Sequence, residues 1–169
     1  MTDTTALAPI ADALLSAATQ AGADAADVVL TDGTSLTIEV LNAKLEQAER
    51  AEGIDLGLRV LVGKRQACVS ASDASADTIA EMAERAVAMA KLAPEDPHIG
   101  LADAEMLSDV RDADGLEMED ASPDPDPAAL EAMALEAEAV ALGVSGISQV
   151  STAGAGFFRR RVHLAATNG

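Results

Sequence analysis

The side chains of this chain that could do chemistry are few: two histidines, one cysteine, a cluster of carboxylates, one glycine-lysine pair and one run of arginines. Zinc needs three or four ligands, usually with some closely spaced on one element. His98, His163 and Cys68 show no such spacing, so no metal site made wholly by this chain is expected. Asp109, Asp112, Asp114, Glu117, Glu119 and Asp120 resemble a calcium loop in composition only. With Gly115 at the loop glycine, Val110 falls at the first ligand position and Ala121 at the last, so the pattern fails and a solvated acidic loop is expected. Gly63-Lys64 lacks the upstream glycine and following hydroxyl of a phosphate loop and reads as a turn. Cys68, mid-strand and without a cationic or histidine neighbour in sequence, is expected to be a small core residue rather than a nucleophile. Arg159-Arg160-Arg161 is the one basic run and follows the only two aromatics, Phe157 and Phe158. On a strand Arg160 would face away from Arg159 and Arg161, so pairing with the chain's own carboxylates competes with docking of an acidic peptide or partner. These five residues are the candidate docking site. Nothing supplies a nucleophile, a base and an oxyanion site together.

The elements that must position these residues centre on Gly57 to Ala90. Leu56, Leu58, Val60 and Val62 alternate with Gly57, Arg59 and Leu61, the period of a strand with one buried face. Gly63 to Gln66 supplies a reversal, and Ala67, Val69 and Ala71 restart the alternation. Ser75 is a natural N-cap, and Ile79, Met82, Ala83, Ala86, Val87 and Ala90 then recur at helical spacing. Upstream, Leu7, Ile10, Ala11, Leu14, Leu15 and Ala18 form a helical stripe with Thr4 or Thr5 as cap and Gly22 as stop. Strands near 27–31 and 35–41 are predicted to pair across an Asp32-Gly33 turn. Residues 44–51 favour helix by propensity, but their place between strands predicts a strand, followed by another at 54–62.

Downstream, Asp126 and Pro127 open a helix carrying Leu130, Met133, Ala134, Ala137 and Ala141, which Gly143 closes. Val144, Ile147 and Val150 predict a strand, Gly154 and Gly156 a bend, and Phe158 to Ala166 a last strand. Asn168-Gly169 is a turn signal, so a further strand is expected beyond it, and an uncovered last strand would favour a homodimer of the fragment. The expected class is α+β, a mainly antiparallel sheet with helices near 5–21, 76–92 and 127–142 packed on one face.

Charge narrows the partners. The net charge is −18, and residues 101–142 hold 13 acidic residues against Arg111 alone, or −12 of that total. Such a surface repels phosphate backbones and anionic lipid, so neither direct nucleic-acid nor membrane binding is expected. One cysteine and no signal peptide predict the cytoplasm.

The ordered set LGLRVLVGKRQACVSASDAS, LAPEDPHIGLAD, DPAALEAM and the closing TNG resembles the N-terminal part of the TldD/PmbA family, known also as modulator of DNA gyrase, with the PmbA (TldE) side the nearer. The resemblance runs through essentially all 169 residues and implies that residues 1–169 are the N-terminal α/β domain of a longer PmbA-like protein, whose C-terminal domain lies outside this chain. It further implies a cytoplasmic bacterial two-subunit metalloprotease in which a TldD-type subunit carries zinc through an H-E-x-x-x-H motif. That motif is absent here, so the resemblance implies no cofactor in this chain, with a TldD-like subunit and a peptide substrate as partners. The competing reading is a stand-alone acidic module that binds a basic partner through residues 101–142.

Overall fold

The computed structural model describes residues 7–110, 113–118, 120 and 122–169. In chain order these form α1 (Leu7–Ala21), β1 (Ala25–Leu41), β2 (Lys44–Val62), β3 (Arg65–Ala71), α2 (Ala76–Leu92), a 3-10 turn at Ala104–Met106, α3 (Pro127–Leu142) and β4 (Ala153–Ala166). The strands make one sheet in the order β3-β2-β1-β4. β2 and β3 are antiparallel, with Leu58 opposite Val69 and Val60 opposite Ala67. The class is α+β with an antiparallel sheet, as the alternation of apolar residues predicts.

Two compact units divide the chain, and β1, β2 and β4 contribute residues to both. The first comprises the described residues within 1–32, 53–111 and 160–169. In it Ala26, Val28 and Leu30 of β1 and Leu56, Leu58 and Val60 of β2 form one sheet face. They share a core with Leu14 and Ala18 of α1 and with Met82, Ala86 and Val87 of α2. The six residues of the expected α2 stripe are its six buried ones, as their three- and four-residue spacing requires, and Ser75 caps the helix by accepting from the Thr78 amide. Gly22, at φ 101°, ends α1 in a backbone region that side chains disfavour.

The second unit comprises the described residues within 33–52 and 112–159. Leu36, Ile38 and Val40 pack against Leu130 and Ala134 of α3, with Ala153, Ala155 and Phe157 of β4 alongside. Asp126 caps α3 through the Ala128 amide, and Pro127 takes the first turn, where its missing N–H is not needed.

Five local expectations are corrected, and one lies out of reach. Asp32-Gly33 is not a turn: neither residue has positive φ, β1 runs straight through, and the reversal comes at Asn42-Ala43, φ 54° and 57°. Residues 44–51 are strand as expected, but continuous with 54–62 in one β2. Residues 144–150 form no strand, since the Val144 and Ile147 amides close local turns onto Ala141 and Val144 instead of joining a ladder. Gly154 and Gly156 lie within β4 rather than in a bend, and a Cβ on Gly154 would approach the Ile38 carbonyl oxygen to 3.2 Å. Met133 is 60% exposed, while Glu138 takes a buried place on α3. The proposed caps Thr4 and Thr5 lie outside the described residues, as do Arg111, Asp112, Glu119 and Ala121 of the acidic segment.

Candidate functional site

β4 divides the five expected docking residues rather than gathering them. Phe157 is half-buried against the core of the second unit, whereas Phe158 is 79% exposed. The Arg159 guanidinium lies 5.5 Å from the Phe157 ring centroid, in cation-π range. Its Nη1 donates to Asp124 Oδ1 at 2.5 Å and its Nη2 to the Ser122 carbonyl at 3.2 Å. Arg159 is therefore taken up in tying residues 122–124 to β4, the plainer of its two readings. The Ser122 hydroxyl and then its backbone amide hold the neighbouring Asp120 carboxyl below the usual carboxylate range, with Arg159 adding a smaller pull. Arg160 is exposed and Arg161 half-buried.

The first unit offers a second surface. The sheet face opposite its helices forms an open concavity of about 760 Å³ lined by all four strands. Its floor is mainly apolar: Val29 at 47% exposure, Gly57, Leu164 at 68% and Ala166. At its centre Arg59 of β2 donates from Nε to Asp27 Oδ1 at 2.9 Å and Oδ2 at 3.1 Å, and its Nη2 also binds Oδ2. The hydrogen bond to Asp27 raises the Arg59 pKa above its ordinary value, against the cost of partial burial. The pair cancels in charge and leaves Arg59 occupied, so the face offers apolar contact rather than a free cation.

Cys68 lies on this open face, with its Cα opposite Arg59 in the β2–β3 ladder. The expectation of a core cysteine is thus corrected: Ala67, Val69 and Ala71 take the helix side of β3, and the period of two turns Cys68 outward. The same alternation could have placed Arg59 outward, but the partner Asp27 requires the pairing of β1 with β2, which no local signal states. His98 is exposed in the loop after α2, His163 is half-buried, and neither lines the concavity. Among the described residues no three His, Cys, Asp or Glu side chains are grouped as a metal site would require. Nor is any described helix long and apolar enough to cross a membrane.

Comparison with known proteins converges on one family. Residues 26–90, from β1 through most of α2, match the profile of PmbA/TldA metallopeptidase domain 1. A metalloprotease PmbA homolog of Haemophilus influenzae is 34% identical over 125 residues, which is 74% of this chain and 27% of that protein. A protein named as a modulator of DNA gyrase from Bacteroides thetaiotaomicron superposes with a TM-score of 0.77 at 17% identity, over 100% of this chain and 38% of its own. TldE from Thermococcus kodakarensis gives 0.73 at 16% identity, over 95% of this chain and 35% of its own. The chain therefore spans well under half the length of these relatives, and at such identities the structural likeness establishes the fold.

Proposed function

The chain belongs to the PmbA/TldD family, and from that premise we propose that it is the non-catalytic first domain of a PmbA/TldE-type subunit in a cytoplasmic two-subunit zinc metalloprotease acting on unfolded peptides. Its role in this reading is to dock a TldD-type subunit and help enclose the peptide. The observation that carries the reading is the match of residues 26–90 to a metallopeptidase first domain, together with 34% identity over 125 residues to a PmbA homolog. In this reading the zinc and the hydrolytic step belong to the TldD-type subunit. β3 and β4 are the outer strands of the sheet, and an extended peptide adds to such an edge through main-chain hydrogen bonds, which tolerate many sequences.

Purified chain, dialysed and assayed with casein before and after addition of a TldD-type subunit, tests this. Alone it should retain no zinc and cleave nothing; with the subunit it should co-elute, and cleavage should be chelator-sensitive. Stoichiometric zinc or chelator-sensitive cleavage by the chain alone would overturn the assignment. The acidity of residues 101–142 favours a second reading, a module that binds basic proteins. Capture of a basic protein that salt abolishes, without co-elution of the TldD-type subunit, would support that one.

A further inference from the structure

The turn between β1 and β2 contains one residue that does not suit it. A two-residue reversal with both φ angles positive favours Asn-Gly, but here Ala43 follows Asn42, at φ 57° and 54° respectively. The methyl of Ala43 is unfavourable in that left-handed region. What the turn has instead is a carboxylate. The Asn42 amide donates to Glu138 Oε1 at 2.8 Å and the Ala43 amide to Glu138 Oε2 at 2.7 Å. Successive turn amides aimed one way make an anion-binding concavity, and the anion in this one belongs to α3.

Glu138 is a poor choice for anything else. It continues the stripe Leu130, Ala134, Glu138, whose first two members are core residues, and it is only 3% exposed. It lies near the C-terminal end of α3, where the helix dipole opposes an anion, and no ion pair with it is found among the described residues. An apolar residue there would serve both the helix and the core better.

We propose that Glu138 is a clasp: its carboxylate, seated on the Asn42-Ala43 amides, keeps α3 docked on the β1–β2 hairpin, and its release frees α3 while the first unit keeps its fold. The apolar hold of α3 is small, resting on Leu130, Ala134 and half-buried Leu135, so two charge-assisted hydrogen bonds are a large share of it.

Amide hydrogen exchange on the full chain and its Glu138→Gln, Ala43→Gly and doubly substituted variants tests this. Glu138→Gln should speed exchange of residues 42–43 and of α3 by about tenfold or more, leaving α1 and α2 unchanged. Ala43→Gly in the Glu138→Gln background should restore the turn amides but not α3. If Glu138→Gln does not fold, Glu138→Asp, one methylene short of the amides, should speed α3 exchange in the same direction. Exchange of α3 within about twofold of the parent, equal acceleration in α1 and α2, or recovery of α3 by Ala43→Gly would each overturn the proposal.

Discussion

The β2–β3 turn and the β1–β2 turn both need positive φ, and in both a carboxylate from a distant segment accepts turn amides. At the first, Gly63 adopts φ 58° without a Cβ to oppose it, and Asp24 Oδ2 accepts its amide at 2.7 Å from an exposed position. At the second, no glycine is present and the accepting Glu138 is buried. The cores differ in the same sense: among the described residues, sixteen buried ones cluster in the first unit and five in the second. Where burial is ample, turn chemistry is written locally and the polar contact adds to it. Where burial is thin, the turn depends on one polar contact from far along the chain.

The largest expected effect tests the disparity between cores. Leu58→Ala, at a site 1% exposed, should lower unfolding free energy by about 2–5 kcal/mol in urea titration. Leu130→Ala should fall near about 2 kcal/mol, because a five-residue core can collapse around the gap, and its exchange changes should stay within α3. Equal losses for the two would break the comparison.

Reversing the turn residues gives the next largest effect. Gly63→Ala should cost about 1 kcal/mol from backbone alone, since nothing lies within 4 Å of the added Cβ. Ala43→Gly should stabilise by about 1 kcal/mol, with the Glu138 contact kept. Thermal melts that move both variants in one direction would show that the two turns do not differ as described.

On the open sheet face, Asp27→Asn should cost about 0.5–1 kcal/mol and less as salt rises, the pair being roughly a third exposed on each side. A salt-independent loss would mean that shape, not charge, holds Arg59. The smallest effect concerns Asp73, which the Ser75 hydroxyl, then the Thr78 hydroxyl, hold below its usual 3.8. A pKa depressed in the folded state contributes stability that is present above 3.8 and lost as pH falls through the lower folded value. Asp73→Asn should therefore narrow slightly the gap between denaturation midpoints at about pH 7 and about pH 3, while a parent-like gap would remove Asp73 from the acid response.

Much of the helical framework was legible, and the reasons are local. The α2 stripe from Ile79 to Ala90, the Ser75 and Asp126 caps and the Gly63-Lys64 turn each depend on residues within about four positions, so pattern and structure agree. Asp32-Gly33 misled because a turn signal in sequence is only a preference, and it yields here to a strand that lies between β2 and β4 in the sheet. Val144, Ile147 and Val150 are strand-favouring residues, but the Val144 and Ile147 amides are taken by local turns. Of the candidate site, the outward place of Arg59 and Cys68 could be read from alternation, but the contact of Arg59 with Asp27, 32 residues away, could not.

By itself, then, the sequence determined three helices, an antiparallel sheet with one apolar face, an acidic surface and a resemblance to one family, because periodicity, capping and charge are properties of neighbouring residues. Only the tertiary structure decided that β1 runs unbroken through Asp32-Gly33, that Arg159 is tied down beside Phe157 while Phe158 stays exposed, and that Glu138, outwardly an ordinary polar residue of a helix, is buried on a turn 95 residues away. Those outcomes depend on which segments meet, and hydrogen-bond partners supplied across such distances leave no trace in local pattern.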